Sequence, residues 1–349
     1  MRRRDFLGAL GAGVAGGLLP RPPVRLAQDQ FVERWSWAMG QPVHAMVFAS
    51  SDGEGLDACA AALAELRRVE SRLTVFDDAS DLCELNRHAG RGATRVDADL
   101  EAVLRAAEGF RRGTGGAFNV AVEPLMRAWG FHRPRTTEPS AAEIGEAREA
   151  VASAVVALDG DRARLSNAHT QLDFGGIGVG YGIDRALAVL RARGIRRALI
   201  DVSGDVGALG APPGERGWPV EISDPDHAGQ TIAATSLCDG ALATSANTES
   251  VVRYRARVLG HVMNPATGWP AHALRQATVV ARTALEADAL STALFVSGRR
   301  SPGALAAYQV ASQPSRAVGW PGCATGPAPV PGRAGGPSAT RRCWPGSGS

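Results

Sequence analysis

The sequence predicts an α+β protein in which mainly antiparallel sheets are flanked by helices. Segments of helical periodicity fill much of the first half and return near residue 290, whereas strand-like runs cluster after the middle. Because helices and strands do not alternate one for one, βαβ units and a parallel sheet are disfavoured. A length of 349 residues is that of one enlarged domain or two small ones.

The first half contains three predicted helices and three predicted strands. Apolar residues three and four positions apart predict helices over residues 56–73, 100–110 and 141–151. The globular pattern begins after residue 35, and short apolar runs predict strands over residues 43–50, 154–158 and 163–166.

In the second half, a glycine-rich segment over residues 175–182 leads into a predicted helix, Asp184–Arg193. Polar turns separate the predicted strands 197–202, 220–223, 231–237, 251–259 and 277–281. A last helix is expected over Asp288–Val296.

The net charge of +3 is set by the two ends of the chain. All 38 basic residues are arginines; residues 1–27 carry +4 and residues 299–349 carry +6, so the body carries −7. A negative body disfavours nucleic acid as a partner. No run of 18 apolar residues is present, which excludes a polytopic membrane protein. The five scattered cysteines lack the spacing of zinc or iron–sulfur sites.

Residues 1–27 have the pattern of an export signal. Arg2, Arg3 and Arg4 precede Phe6-Leu7 and a short Gly/Ala/Leu stretch, and small residues follow. Adjacent arginines before Phe-Leu are typical of the twin-arginine route, which predicts a periplasmic protein. The alternative is an arginine-rich tail beside a hydrophobic patch. No cysteine ends the apolar stretch, so no stable membrane anchor is expected.

Residues 299–349 form a segment of different composition. Glycine and proline make up about a third of it, acidic residues are absent and neither periodicity is present. This composition predicts disorder. It is also what a GC-rich reading frame translated out of phase would produce, and we keep that as a second hypothesis.

Two sequence features suggest a metal and a phosphate site. Asp288 and Thr292 are four residues apart on a predicted helix and face the same way, a hard-oxygen pair that suits Mg²⁺. A solvated helix face is the alternative. The run LDFGGIGVGYGID (172–184) places five glycines between a strand and a helix, where backbone amides approach a pyrophosphate. It is not a GxGxxG fingerprint, and a tight turn is the alternative.

Two further segments have the composition of a site. His261 precedes a rigid Pro/Gly turn, and Gly115–Asn119 places an aromatic ring and an amide where a planar ligand would fit. A structural histidine and an ordinary turn packed on the core are the alternatives.

Eight segments of the chain occur in an order that resembles one known family. They are Met39-Gly40, the segment from Glu70 to Asn86, GGAFNVAVEPLMRAWGF (115–131), LDFGGIGVGYGID (172–184), DVSGDVGALG (201–210), ATS (243–245), HVMNPATGWPA (261–271) and EADALSTALFVSG (286–298). Together they resemble the ApbE-type FAD:protein FMN transferases over residues 37–298. The segment after 298 finds no counterpart, which suggests that the family's closing strand region is missing.

The resemblance implies that the protein binds FAD and Mg²⁺. It would move the FMN half onto a Thr or Ser hydroxyl of an exported flavoprotein, its acceptor partner, and release AMP. It implies that Asp288, Thr292 and the carbonyl of Gly176 bind the metal, and that His261 or a neighbouring carboxylate accepts the hydroxyl proton. The residues that it places at FAD are Met39, Phe76, Ala117, Phe118, Asn119, Asp173, Val179 and Met263.

Three positions depart from the family pattern. The family usually has Lys in place of Val179, Asp in place of Asn119, and Asp in place of Asn264. A lost cation and two lost acids favour a non-catalytic FAD carrier, whereas the intact Asp288/Thr292 pair favours a metal-dependent transferase. A third interpretation is an FAD pyrophosphatase, in which water replaces the protein hydroxyl and yields FMN and AMP.

Overall fold

The computed structural model describes residues 29–311, except residues 228, 248, 249, 256, 302 and 305. The predicted export signal and residues 312–349 of the predicted tail lie outside the described residues. No helix in the described part is both long enough and apolar enough to cross a membrane.

The chain alternates irregularly between helices and strands. The helices are α1 (Asp52–Leu73), α2 (Asp81–Arg87), α3 (Ala98–Gly113), α4 (Glu123–Trp129), α5 (Ala141–Ala152), α6 (Gly178–Ala192) and α7 (Ala284–Ser297), with a 3₁₀ turn at Val120–Val122. The strands of the first two thirds are β1 (Gln30–Ala38), β2 (Gln41–Ala49), β3 (Thr94–Arg95), β4 (Val156–Asp159), β5 (Arg162–Leu165), β6 (Arg197–Val202), β7 (Asp205–Leu209), β8 (Trp218–Ser223) and β9 (Thr231–Leu237). The remaining strands are β10 (Ala241–Ala246), β11 (Val251–Tyr254), β12 (Arg257–Gly260), β13 (Leu274–Ala281) and β14 (Ala306–Ala311).

A seven-stranded sheet in the order β1-β2-β6-β7-β10-β13-β14 forms the centre of the molecule. Every neighbouring pair in it is antiparallel. Helices α1, α6 and α7 pack side by side on one face. The hairpin β8–β9 covers the other face, where Trp218 lies against Phe48. The predicted α+β class with mainly antiparallel sheets is therefore confirmed.

A second hydrophobic cluster lies beside this sandwich. It joins α2, α3 and the small sheet β3-β5-β4 to the buried faces of α6 and α7. Helices α4 and α5 and the hairpin β11–β12 pack around the fully buried Trp129. Helices α6 and α7 are thus held from both sides, which fixes the segments that enter them.

The predicted helix after the glycine run begins earlier than expected. It starts at Gly178 rather than Asp184, so three glycines lie in its first two turns. Glycine has a low helix propensity, but it is needed here because the backbones of α6 and α7 come too close for a side chain between them. A β-carbon at Gly180 would lie 2.3 Å from the carbonyl oxygen of Ala284 in α7.

Other boundaries also differ from the prediction. The strand expected over 251–259 is a hairpin, turned at Arg255 with φ of 53°. The sheet begins at Gln30, before the predicted start of the globular part at residue 35, and β7 and β10 were not predicted.

The prediction of disorder over residues 299–349 is wrong for Ala306–Ala311, which form strand β14. Strand β14 pairs with β13 and forms the edge of the main sheet. Its Tyr308 packs against the cluster beneath the β8–β9 hairpin, so the segment has a buried partner that its composition concealed.

Candidate functional site

A cleft opens where the glycine loop enters α6, beside α7, strand β10 and the loop that follows β12. Ten of the twelve predicted site residues line it, namely Ala117, Phe118, Asn119, Asp173, Gly176, Val179, His261, Met263, Asp288 and Thr292. They come from four separate stretches of the chain, and the packing of α6 against α7 brings these together.

The α7 wall of the cleft carries Asp288 and Thr292 one helical turn apart. Because α7 begins at Ala284, Asp288 lies in its second turn and not at the helix start. Asp288 is only 5% exposed, so the alternative interpretation, a solvated helix face, is wrong. The Asp288 carboxylate accepts a hydrogen bond from the Gly180 N–H at 3.0 Å.

Helices α6 and α7 cap each other's N-termini through two aspartates. Asp288 of α7 accepts from Gly180 in the first turn of α6, whose N-cap residue makes no side-chain cap of its own. Asp184 of α6 accepts from the first two amides of α7, Ala284 and Leu285, at 2.8 and 3.0 Å. Unpaired amides at a helix start need such acceptors, so the two helices are fixed in register.

Oxygen atoms of different kinds converge next to Asp288. A β-carbon at Gly176 would lie 2.8 Å from the Thr292 hydroxyl, so the glycine backbone lies directly against that side chain. The Ser245 hydroxyl on β10 lies 3.3 Å from the same oxygen and 2.8 Å from the Ser291 hydroxyl. The structure therefore brings the three predicted metal ligands into one corner.

The chemistry of this corner fits a hard divalent cation. Burial raises the pKa of Asp288 to about 7, and the nearby charge of Asp184 acts in the same direction. Within the described part of the chain, no arginine or histidine forms an ion pair with Asp288. Asp288, Thr292, Ser245 and Gly176 line the same cleft, and a carboxylate with hydroxyl and carbonyl oxygens is a donor set that Mg²⁺ accepts, with water in its other positions. No group of three or more His, Cys, Asp or Glu side chains among the described residues is arranged to bind a metal ion.

The opposite wall is built on Asp173, immediately before the glycine loop. One of its carboxylate oxygens accepts from Gly175 N–H at 2.6 Å, and the other pairs with the His132 Nε2 at 3.0 Å. Burial acts to raise the pKa of Asp173, but the hydrogen bond and charge of His132, the Gly175 amide and the charge of His261 hold it below its ordinary value. Asp173 is therefore a buried anion with an internal counter-ion.

The N-terminus of α6 points into the cleft between these two walls. Gly175, Gly176 and Val179 line the cleft at this point, and the first turn of the helix has no acidic residue. A helix start of this kind favours an anion such as a phosphate group. No arginine is among the described lining residues, so this helix end is the main fixed positive feature of the wall.

Two predicted flavin contacts lie outside the lining of the cleft. Met39 and Gly40 form the turn between β1 and β2 with φ of 57° and 69°, a conformation typical of a two-residue hairpin. The Met39 side chain packs inward against Gly182. Phe76 is 78% exposed and rests edge-on against the His132 ring, with the centroids 5.3 Å apart. Phe76 is therefore linked to Asp173 through His132, which contacts both residues.

Two of the three departures from the family pattern keep a local role that aspartate would also fill. The Asn119 side-chain oxygen accepts from the Ala121 N–H, and the Asn264 oxygen accepts from Ala266 and Thr267. Each is a turn stabilised by a side-chain acceptor. Val179 differs, because an apolar side chain in the first turn of α6 replaces a cation.

Several lining residues were not predicted singly from the sequence. Asp205 accepts from Thr244 N–H at 2.9 Å, and Ser203 occupies the β6–β7 turn with φ of 51°. These positions lie in segments that the family resemblance covers. His132 had no signal, because a lone histidine after Trp-Gly-Phe has neither a motif nor a periodic partner.

Comparison with known proteins identifies relatives that match most of the described region. The profile of the ApbE family matches residues 39–313. The FAD:protein FMN transferase of Treponema pallidum is 33% identical over 250 residues, covering 67% of this chain and 69% of that protein. The FAD:protein FMN transferase of Haemophilus influenzae is 28% identical over 243 residues, covering 67% and 70%.

Solved structures share the fold. The ApbE protein from Thermotoga maritima superposes with a TM-score of 0.73 at 27% identity, covering 81% of this chain and 94% of that chain. The apo flavinyl transferase ApbE from Pseudomonas stutzeri gives a TM-score of 0.68 at 26% identity, covering 81% and 93%. Because the family match continues to residue 313, it includes β14, and the expected loss of the closing strand is wrong.

Proposed function

We propose that this chain, which belongs to the ApbE family and is an FAD:protein FMN transferase, modifies an exported flavoprotein. We also propose that the reaction requires Mg²⁺. The FMN portion of FAD passes to a Thr or Ser hydroxyl of an exported flavoprotein, and AMP is the second product. The observation that supports this most strongly is the convergence of Gly176, Asp288 and Thr292 beside the start of α6.

The two groups that face the FAD pyrophosphate would be the start of α6 and the α7 wall. Gly175 and Gly176 allow the phosphates to approach the backbone, and the helix start favours their negative charge. Asp288, Thr292 and the Gly176 carbonyl would bind Mg²⁺, with the Ser245 hydroxyl supporting Thr292. The metal ion would neutralise pyrophosphate charge and polarise the phosphorus under attack.

His261 would accept the proton of the attacking hydroxyl. It is half-buried at the cleft and close enough to Asp173 for their charges to interact. An anion beside an imidazole favours its protonated form, so Asp173 would stabilise His261 once it has taken the proton. The flavin would lie along the wall of Ala117, Phe118 and Met263, where an aromatic ring and a thioether border the cleft.

The site of action would be the periplasm. Support comes from the arginine-rich start of the sequence, with its short apolar stretch and small-residue exit. Fusing residues 1–27 to a reporter that is active only after twin-arginine export tests this. Export that survives replacement of Arg3 and Arg4 by lysine would point to another route.

One incubation separates the three candidate activities. Purified protein is mixed with FAD and Mg²⁺, with and without an acceptor domain that contains a Thr site, and products are read by mass spectrometry. FMN bound covalently to the acceptor supports the transferase, free FMN with AMP supports the pyrophosphatase, and unchanged FAD supports the carrier.

The matched control for this incubation is the His261→Gln variant. It keeps a polar side chain at the cleft but removes the proposed base, so binding of FAD should persist while transfer falls by about a hundredfold or more. An acceptor whose Thr is replaced by Val checks that the label depends on the hydroxyl.

A further inference from the structure

His132 lies behind the cleft, between two buried carboxylates. Its side chain is 11% exposed, with Nε2 at 3.0 Å from Asp173 and Nδ1 at 3.7 Å from Glu123. The exposed Phe76 ring lies edge-on against the His132 ring, with the ring centroids 5.3 Å apart. His132 is not among the described residues that line the cleft, and it contacts the cleft-lining Asp173.

The two carboxylates differ in how they are satisfied. Asp173 has a partner on both oxygens, while one oxygen of Glu123 accepts from Arg127 at 2.7 Å and the other is buried without a hydrogen bond. The His132 Nδ1 is also buried without a hydrogen-bond partner in the described part of the structure. A protonated His132 ring would compensate the negative charges of both Asp173 and Glu123, whereas a neutral ring would leave the buried Asp173 carboxylate without that compensating charge.

Asp173 transmits this arrangement to the cleft. Its N–H donates to the Val120 carbonyl at 2.8 Å, and its carboxylate accepts from the Gly175 amide, which starts the turn that contains Gly176. A β-carbon at Gly175 would lie 3.1 Å from the same carboxylate oxygen, so the turn is folded tightly on Asp173. The position of the glycine backbone therefore depends on where the Asp173 carboxylate is held.

We propose that His132 is a positioning residue for the flavin site: as a buried cation, it holds Asp173 ionised and in place. Through Asp173 it fixes the Gly175–Gly176 turn, and with it the amides that face the FAD pyrophosphate. This inference rests on the proposed function, because it assigns His132 a role in binding FAD.

The charges around His132 make the arrangement sensitive to pH. Burial acts to lower the pKa of His132, but the hydrogen bond to Asp173 and the nearby charges of Asp173 and Glu123 raise it to about 9. Of the other charged groups nearby, Arg127 pairs with Glu123, and His261 interacts with Asp173. A raised pKa means that the stabilisation is complete below pH 6.5, the ordinary histidine value, and is lost as pH rises through about 9.

The test is a double-mutant cycle of FAD binding with His132→Gln, Asp173→Asn and the double variant. His132→Gln keeps a donor and removes the charge, and we expect it to weaken FAD binding about ten- to a hundredfold at pH 7.5. In the Asp173→Asn background the same change should have less than about a threefold effect, because its partner charge is already gone.

The pH profile and an exposed histidine provide the controls. Wild-type affinity for FAD should fall as pH rises through about 9, and His132→Gln should lack that step. His227 pairs with Asp224 at 3.1 Å, but it is 63% exposed and does not line the cleft, so His227→Gln should leave affinity and pH profile unchanged.

The outcomes separate this inference from the proposed function. If wild-type protein fails to bind FAD, the proposed function and this inference are both overturned. If it binds FAD but the two single variants act additively, or His132→Gln keeps the wild-type pH profile, the inference alone is overturned. Should His132→Gln not fold, an NMR titration of the histidines in wild-type protein decides: a His132 ring that is neutral at pH 7 contradicts the proposal.

Discussion

The two walls of the cleft each carry a buried aspartate, and the protein treats the two in opposite ways. On the glycine-loop wall, Asp173 is 9% exposed and its pKa is held low by His132. On the α7 wall, Asp288 is 5% exposed, and its pKa is raised to about 7 because burial is opposed only by the Gly180 amide. Both aspartates accept one backbone hydrogen bond from the same glycine-rich segment.

The difference lies in the source of the compensating charge. The negative charge of Asp173 is compensated by His132, so it needs no ligand for compensation. Its carboxylate accepts the hydrogen bond that holds the Gly175 amide. Asp288 has an amide but no cation from the described residues, so an added cation gains the full interaction with it. Of the two buried aspartates, the one without a cation among the described residues therefore lies at the corner where we propose that the metal ion binds.

The largest effect should come from removing the Asp288 charge. With Asp288→Asn, we expect transfer to fall by at least about a hundredfold and the rise in melting temperature on adding Mg²⁺ to disappear. Without metal the variant should be as stable as wild type or more stable, because the amide oxygen still accepts from Gly180 and no buried charge remains. Thermal unfolding with and without Mg²⁺, alongside the product assay, measures both.

Asp99 is the matched control for that variant. Asp99 is also buried, with 7% exposure against 5% for Asp288, but it is paired with Arg68 and accepts from Tyr181 at 2.6 Å. Asp99→Asn should lower the melting temperature and keep the response to Mg²⁺. An Asp288→Asn protein that Mg²⁺ still stabilises would contradict the contrast between the two walls.

Removing the C-terminal segment that contains β14 should lower the stability of the main sheet, on which α7 packs. Deleting residues 299–349 removes β14, exposes the edge of β13 and uncovers the hydrophobic cluster that Tyr308 packs against. We expect a loss of about 2–3 kcal/mol of unfolding free energy, measured by urea denaturation. Deleting 314–349 keeps β14 and should change stability by less than about 0.5 kcal/mol. Equal effects of the two deletions would show that β14 contributes nothing.

Adding a cation between the walls should strengthen FAD binding. Val179 is half-buried in the first turn of α6 and lines the cleft, so an ammonium at that position would reach a ligand phosphate. For Val179→Lys we expect about ten- to a hundredfold tighter binding, equivalent to roughly 1.5–3 kcal/mol. Val179→Met is the uncharged control of similar length. Equal or weaker binding by the lysine variant would show that the wall is adapted to an apolar residue.

The smallest effects should come from restoring the two missing acids. Asn119→Asp and Asn264→Asp keep the side-chain oxygen that accepts from the backbone, so FAD affinity and transfer rate should stay within about threefold of wild type. Titration and initial rates measure this. A tenfold gain from either variant would mean that the carboxylate has a direct role in the chemistry.

Much of the site was accessible from the sequence because the residues lie in contiguous motifs. The spacing of Asp288 and Thr292 alone placed two oxygen side chains on one helix face, and the glycine run marked a close backbone approach. Their meeting at one corner depends on the α6–α7 contact at Gly180 and Ala284, which no local pattern reports.

Burial and charge pairing were the properties that the sequence concealed. Asp288 resembles a favourable first-turn acid, yet α7 starts four residues earlier and buries it. His132 and Asp173 are 41 positions apart, and their pairing results from tertiary structure alone. Strand β14 was missed because proline and glycine farther along the chain dominate the composition of residues 299–349. A frame change at residue 299 is incompatible with a family match that continues to 313.

The reciprocal capping of α6 and α7 provides a spectroscopic reporter. The Gly180 N–H points at the Asp288 carboxylate from 3.0 Å, and glycine amides occupy a sparse region of a ¹H–¹⁵N correlation spectrum. Protonation of that carboxylate, or its binding to a cation, withdraws electron density from the oxygen that accepts the bond. In ¹⁵N-labelled wild-type protein, the chemical shift of one backbone amide therefore reports on the state of the α7 corner without any substitution or turnover.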